Sequence, residues 1–304
     1  LINKLQSLIN DKTGIETNIT GLNLKISPKF NIVLKVDNIE AKNKSVSVAD
    51  IKNLYLSYQL LQKRLTLVSA DNIIIDGNIL KQFKKERKKE NKHKFELNNI
   101  PEVHIQKFVF KSNEANISVE NIDAGNNLIK LKAIINTPFL KETLKLGDSG
   151  SLQVIENKLK ANKFKISLGS SQLYLDGTLV DENKTRDLDI IGDKLPLSEI
   201  MPILLHFQKS KDPSKKFIEN FKNFKGTVNV NLKLNKDGIW GTCVGNNLSA
   251  NAVWFNIPLY FKEAVFNFKG ETVDSAAEGT LASEKVIHTL NITDLLNPQK
   301  KLVI

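Results

Sequence analysis

Four histidines and a single cysteine are the side chains of this 304-residue sequence best suited to chemistry. His93, His104, His206 and His288 are scattered, with none of the i, i+4 spacing that lets two imidazoles share a metal on one helix face. His206 sits in an apolar segment and reads as a core or interface histidine. Cys243 is alone, so the chain can form no internal disulfide and no zinc-finger cluster. It follows Gly241-Thr242 with no basic neighbour in sequence to stabilise a thiolate, and reads as a structural thiol. Gly147-Asp148-Ser149-Gly150 has the composition of a serine-nucleophile loop, but Ser151-Leu152 follows it. A triad would also need a histidine and an acid placed beside the serine by the fold, and the four residues suit a β-turn. No glycine-rich phosphate loop occurs. The expectation is therefore a protein without catalytic residues, metal or cofactor.

The net charge of +11 would suit a polyanion binder, but all but three of the 44 cations are lysine. The exceptions are Arg64, Arg87 and Arg186. Lysine, asparagine and isoleucine are abundant together, the signature of AT-rich coding bias. Arginine, which makes bidentate contacts to bases and phosphates, is nearly missing, so no nucleic-acid partner is expected. The cations concentrate at residues 81–94, where Lys81, Lys84, Lys85, Arg87, Lys88, Lys89, Lys92 and Lys94 face only Glu86 and Glu90. This run reads as a solvated loop between units, or as a contact for anionic headgroups.

With 41% apolar and 25% charged residues the chain has enough apolar surface to fold and no apolar run long enough to span a membrane. Period-2 alternation dominates. Ile32, Leu34 and Val36 form one i, i+2 row, as do Leu54 and Leu56, and Ile73 and Ile75. Later rows are Phe164 and Ile166, Leu173 and Leu175, and Val228, Val230 and Leu232. Successive strand side chains point to opposite faces, so each segment has one apolar and one wet face, as antiparallel sheets tolerate. The pattern predicts roughly fifteen strands, with candidates also at 19–27, 104–111, 115–123, 129–135, 186–191, 251–257, 262–269 and 286–293. Helices are predicted at the start, ended by Gly14, and at 197–208, begun by Ser198 with Pro202 in the first turn. A third follows from Phe217, Phe221 and Phe224 at i, i+4 and i+7, closed by Gly226. Ile73 to Ile79 and Leu173 to Leu179 repeat an apolar-x-apolar-Asp-Gly-x-apolar pattern, which reads as a hairpin turn.

Residues 46–77 run from an alternating strand (Leu54, Leu56) through Leu60-Leu61 and Arg64 into two rows, Leu65/Leu67 and Ile73/Ile75, ending at Asp76-Gly77. Gly21-Leu22-Asn23-Leu24 and residues 32–39 precede them, and residues 164–179, 187–190 and 197–200 continue the pattern. Together these segments resemble the AsmA-like family of bacterial envelope proteins, over most of the chain but without a strict motif. Residues 81–94 and 214–225 depart from it.

The resemblance implies a mainly β fold, a long twisted antiparallel sheet forming an open groove, with a few short helices. The charge run and the helical segments divide the chain into a unit at 1–83, a basic loop at 84–94, a second unit at 95–194, a helical insertion at 195–225 and a third unit at 226–304. The resemblance also implies periplasmic placement, with an inner-membrane anchor upstream of Leu1, and phospholipid as partner. The candidate groove lining is then Ile32, Leu34, Val36, Leu54, Leu56, Ile73, Ile75, Phe164, Ile166, Leu173, Leu175, Val228, Val230 and Leu232. The implied role is lipid transport between inner and outer membrane. The alternative is a non-transporting envelope scaffold whose sheet face is filled by its own side chains or a partner protein.

Overall fold

A computed structural model describes residues 2–27, 30–43, 45–78, 101–181, 185–207, 218–253, 256–293 and 301–303. The chain is mainly β and forms two compact units. The first comprises Leu1–Pro138, Lys145–Gly147 and Ser151–Asn157. The second comprises Phe139–Leu144, Asp148–Gly150 and Lys158–Ile304. The basic run at 81–94 lies outside the described residues.

In the first unit, helix α1 (Ile2–Thr13) ends at Gly14, whose positive φ of 67° and N–H bond to the Asn10 carbonyl (2.7 Å) close the last turn. Strands β1 (Glu16–Thr20) and β2 (Asn23–Ile26) both pair with β3 (Asn31–Asn43). The ladder continues through β4 (Val46–Gln59), β5 (Arg64–Asp76), β6 (Glu102–Lys111), β7 (Asn116–Gly125) and β8 (Leu128–Asn136) to β10 (Ser151–Ile155). Every pairing is antiparallel except β5–β6, which is parallel, so the expected all-antiparallel sheet is corrected to a mixed one. A parallel pair needs a crossover longer than a two-residue hairpin, and β5 ends at Asp76 while β6 begins only at Glu102. The three-residue β9 (Leu144–Leu146) has residues in both units.

The second unit is an antiparallel ladder of neighbours in sequence. It runs from β11 (Lys158–Leu168) through β12 (Ser171–Val180), β13 (Asp187–Pro196), β14 (Phe221–Asn235), β15 (Gly238–Ala252), β16 (Pro258–Gly270), β17 (Thr272–Leu281) and β18 (Glu284–Thr293) to β19 (Lys301–Val303). Helix α2 (Leu197–Phe207) follows β13, with Pro202 one turn deeper than the first-turn position expected for it. The helix does not interrupt the sheet, because β13 pairs directly with β14 from Leu188↔Leu234 to Pro196↔Thr227. Among the described residues no helix is long and apolar enough to cross a membrane.

Two further expectations are corrected. Phe221 and Phe224 lie in β14, not in a helix closed by Gly226. Register shifts beside Lys225, with positive φ at Asn223 (60°) and Gly226 (96°), lengthen the local repeat, so a three-residue spacing fits a strand. Asp176-Gly177 is not a hairpin turn but the middle of β12. There Asp176 Oδ1 accepts the N–H of Lys163, the bulged residue of β11 (φ 47°), and Gly177 (φ 114°) lets the Asp187 carbonyl approach.

Candidate functional site

The residues with chemical potential are engaged structurally. His104 Nε2 lies 3.0 Å from Glu102 Oε1 and its Nδ1 lies 2.9 Å from Asp123 Oδ1, so both ring nitrogens are occupied in an exposed cross-strand cluster. His206, in the last turn of α2, stacks on Phe139 with centroids 3.6 Å apart. Gly147 to Gly150 form a bend between β9 and β10, where the Ser149 carbonyl accepts the Lys165 N–H. Among the described residues no group of three or more His, Cys, Asp or Glu is placed to hold a metal ion.

The apolar rows are the feature that needs an account. Directly paired residues share a face of a sheet. In the first unit Leu34 opposes Leu56, Leu56 opposes Val68, Val68 opposes Val103, Val103 opposes Ala124 and Ala124 opposes Ile129. A second line runs through Ile39, Ile51, Ile73, Phe108, Val119 and Ala133 by the same pairings. The two lines differ in phase on each strand from β3 to β7, where an apolar residue is followed by two polar ones before the next apolar one. The doublets are Asp37-Asn38, Lys52-Asn53, Asp71-Asn72, Gln106-Lys107 and Glu120-Asn121. They stand in register, since Asn38 opposes Lys52, Lys52 opposes Asn72, Asn72 opposes Lys107 and Lys107 opposes Glu120. Asn53 (φ 52°) and Asn121 (φ 51°) adopt the left-handed conformation that asparagine tolerates.

Strand β8 decides what this step does. It alternates evenly through Ile129, Leu131, Ala133 and Ile135, and it pairs with both lines. Ile129 and Ala133 share a face of β8, so both lines lie on one face of the sheet. The step therefore keeps Ile32, Leu34, Val36, Leu54, Leu56, Ile73 and Ile75 together. Sequence reading missed the row of doublets, although the apolar-polar-polar-apolar pattern is visible in five successive strands. Asp37, Asn38, Glu40, Ser47, Asp50, Lys52 and Asn53 line a shallow polar cavity of about 390 Å³ along this row. Asn53 Nδ2 donates to Asp71 Oδ2 at 2.6 Å beside it.

In the second unit the register brings the other candidates together directly. Phe164 opposes Leu175 and Ile166 opposes Leu173, and these oppose Ile190 and Gly192. Ile190 and Gly192 oppose Leu232 and Val230, while Val228 opposes Leu195. The same face continues through Gly241, Cys243 and Gly245 to Phe268, Phe266 and Ala264, then to Val273 and Ser275, and to Ile292 and Leu290. Burial pushes the Cys243 thiol up to about 11, so it is protonated at neutral pH. On the same face burial also lowers the pKa of His288, whose ring centroid lies 5.6 Å from that of Phe261.

Of the fourteen candidates only Val36 and Phe164 are buried; the others are half-buried. Helix α1 packs on β1, and α2 packs on β13 and β14. Glu199 fastens α2 to the β11–β12 turn, its carboxylate accepting the N–H and Oγ–H of Ser170 (3.1 and 3.0 Å) and of Ser171 (2.9 and 2.6 Å). Burial alone would raise the pKa of this carboxyl, but the four hydrogen bonds outweigh it and hold it below the ordinary value.

The fold and its faces thus define a one-sided β-sheet protein, with apolar rows on one face of each unit. No protein-family model matches the chain, and no curated protein or solved structure matches it either.

Proposed function

We propose that the apolar face of each unit holds the acyl chains of phospholipid, making the chain part of an envelope lipid-transport protein rather than an enzyme. One observation carries this reading: the paired apolar rows lie on one face and are half-buried instead of sealed. A face of this kind must meet something other than water, and unbranched acyl chains suit a long apolar strip that offers few polar groups. The doublet row supports it: left-handed residues at Asn53 and Asn121 interrupt the pleat along one line, and at β7–β8 the step is a bulge, which bends and twists a strand. Placement in the periplasm, an inner-membrane anchor ahead of Leu1 and traffic between inner and outer membrane belong to the same proposal and rest on the resemblance described above.

The test uses photo-crosslinking residues in a lipid-exposed preparation. Crosslinkers at Leu34 and Val230 are expected to capture phospholipid. Those at Lys35, paired with Tyr55 on the other face, and at Asn231, paired with Thr242, are not. Leu34→Asp and Val230→Asp are expected to fold and to lose lipid. Equal capture from both faces, or from neither, would replace this reading with a scaffold whose face is filled by protein.

A further inference from the structure

One end of the first unit carries a cluster of exposed apolar side chains. Ile26 is 67% exposed, Phe30 57%, Leu60 39%, Leu61 74%, Leu24 52% and Tyr58 36%. They come from two turns held side by side, because the Leu60 N–H donates to the Phe30 carbonyl at 3.1 Å. The cluster continues the apolar face: its last rung is Ile26, Ile32, Tyr58 and Leu65, each opposing the next. Apolar side chains at a strand end, this exposed and this close together, mark a contact surface.

The charges around the cluster say what the contact is. From Thr17 to Val36 and from Ile51 to Ala70 the sequence contains no aspartate or glutamate. Lys25, Lys63 and Arg64 stand exposed beside the apolar tips. A second copy seated on the same patch would set these cations against their own kind, with no carboxylate from these two segments to offset them. A bilayer with anionic headgroups meets both demands, taking apolar tips below the headgroups and attracting lysine and arginine at their level. We propose that this end docks on an anionic phospholipid surface, with Phe30, Leu60 and Leu61 entering the headgroup region and Lys25, Lys63 and Arg64 at its rim. The contact is separate from lipid carriage along the face, since a scaffold would dock by the same tip.

Flotation of the full chain tests it, with vesicles of phosphatidylcholine alone and with about one third phosphatidylglycerol. The chain is expected to bind the anionic vesicles about tenfold better than the neutral ones. Leu60→Ser with Leu61→Ser is expected to weaken that binding about tenfold, and Lys63→Gln with Arg64→Gln to remove the preference for anionic vesicles. All four positions are exposed, so both variants should keep the parent circular dichroism and melting temperature. Val230→Asp, in the second unit, should bind vesicles like the parent, which separates docking from acyl-chain binding. Parent flotation that is absent or indifferent to phosphatidylglycerol overturns the proposal. So does undiminished binding by the Leu60/Leu61 variant, or a parent dimer that this variant dissolves while vesicles bind neither form.

Discussion

Single side chains here act mainly by fixing neighbours. Glu199 ties α2 to the turn at Ser170-Ser171 through four hydrogen bonds, and Glu199→Gln removes the charge that strengthens them. The expected loss is about 1–2 kcal/mol in urea unfolding. Because the folded-state pKa is lowered, the charged form stabilises the fold above the ordinary glutamate value, and this contribution is lost as pH falls through and below it. The difference between parent and variant should therefore shrink on acidification. His288 works in the same direction at a higher pH. Its lowered pKa means that the folded form resists protonation, so stability is complete above about 6.5 and declines as pH falls below it. His288→Leu should flatten that part of the pH–stability curve. Neither role was legible in the sequence: Ser198-Glu199 signals a helix start, but the partners of Glu199 lie about thirty residues earlier, across a turn.

At the scale of strands, the period-2 rows were legible wherever large aliphatic side chains alternate, as in β3, β4, β12 and β14. Besides the short β9, β10 and β19, two long strands escaped notice. The buried face of β17 is Val273, Ser275 and Ala277, and β15 presents Gly241, Cys243 and Gly245 to the apolar face. Small residues there leave room for Phe266 and Phe268 of β16, so packing selects against the bulky alternation that sequence reading relies on. A bulge explains why Phe221 and Phe224 imitate a helical repeat, since it turns a spacing of two into three. The phase step can be tested at Asn53. Its left-handed φ suits asparagine or glycine and strains a β-branched side chain, so Asn53→Val should cost about 1–3 kcal/mol. Asn53→Gly should cost less, losing chiefly the bond to Asp71. Equal losses from the two variants would show that the step does not depend on backbone conformation.

For the molecule as a whole, the decisive property is how open the apolar faces are. Leucines of the second unit provide an internal comparison. Leu195 is 1% exposed, whereas Leu175 on the same face is half-buried. Leu195→Ala should cost about 2–5 kcal/mol, as in a closed core, while Leu175→Ala should cost roughly half as much in the same unfolding experiment. Equal costs would mean that Leu175 is sealed by protein in solution, which would favour a scaffold. The one-sided pattern itself was readable from alternation. The parallel β5–β6 pairing was not, because nothing in the alternation of a strand states the direction of its neighbour.

That each strand from β12 to β18 pairs, among the described residues, with its neighbours in sequence also has a mechanical meaning. Tension applied along the chain from its C-terminal end would load the β18–β19 ladder first, then β17–β18, each as a hairpin opened one rung at a time. Force spectroscopy should therefore record a train of small, low-force steps from this unit instead of one abrupt rupture. The parallel β5–β6 ladder breaks that order in the first unit, because it has no hairpin to peel.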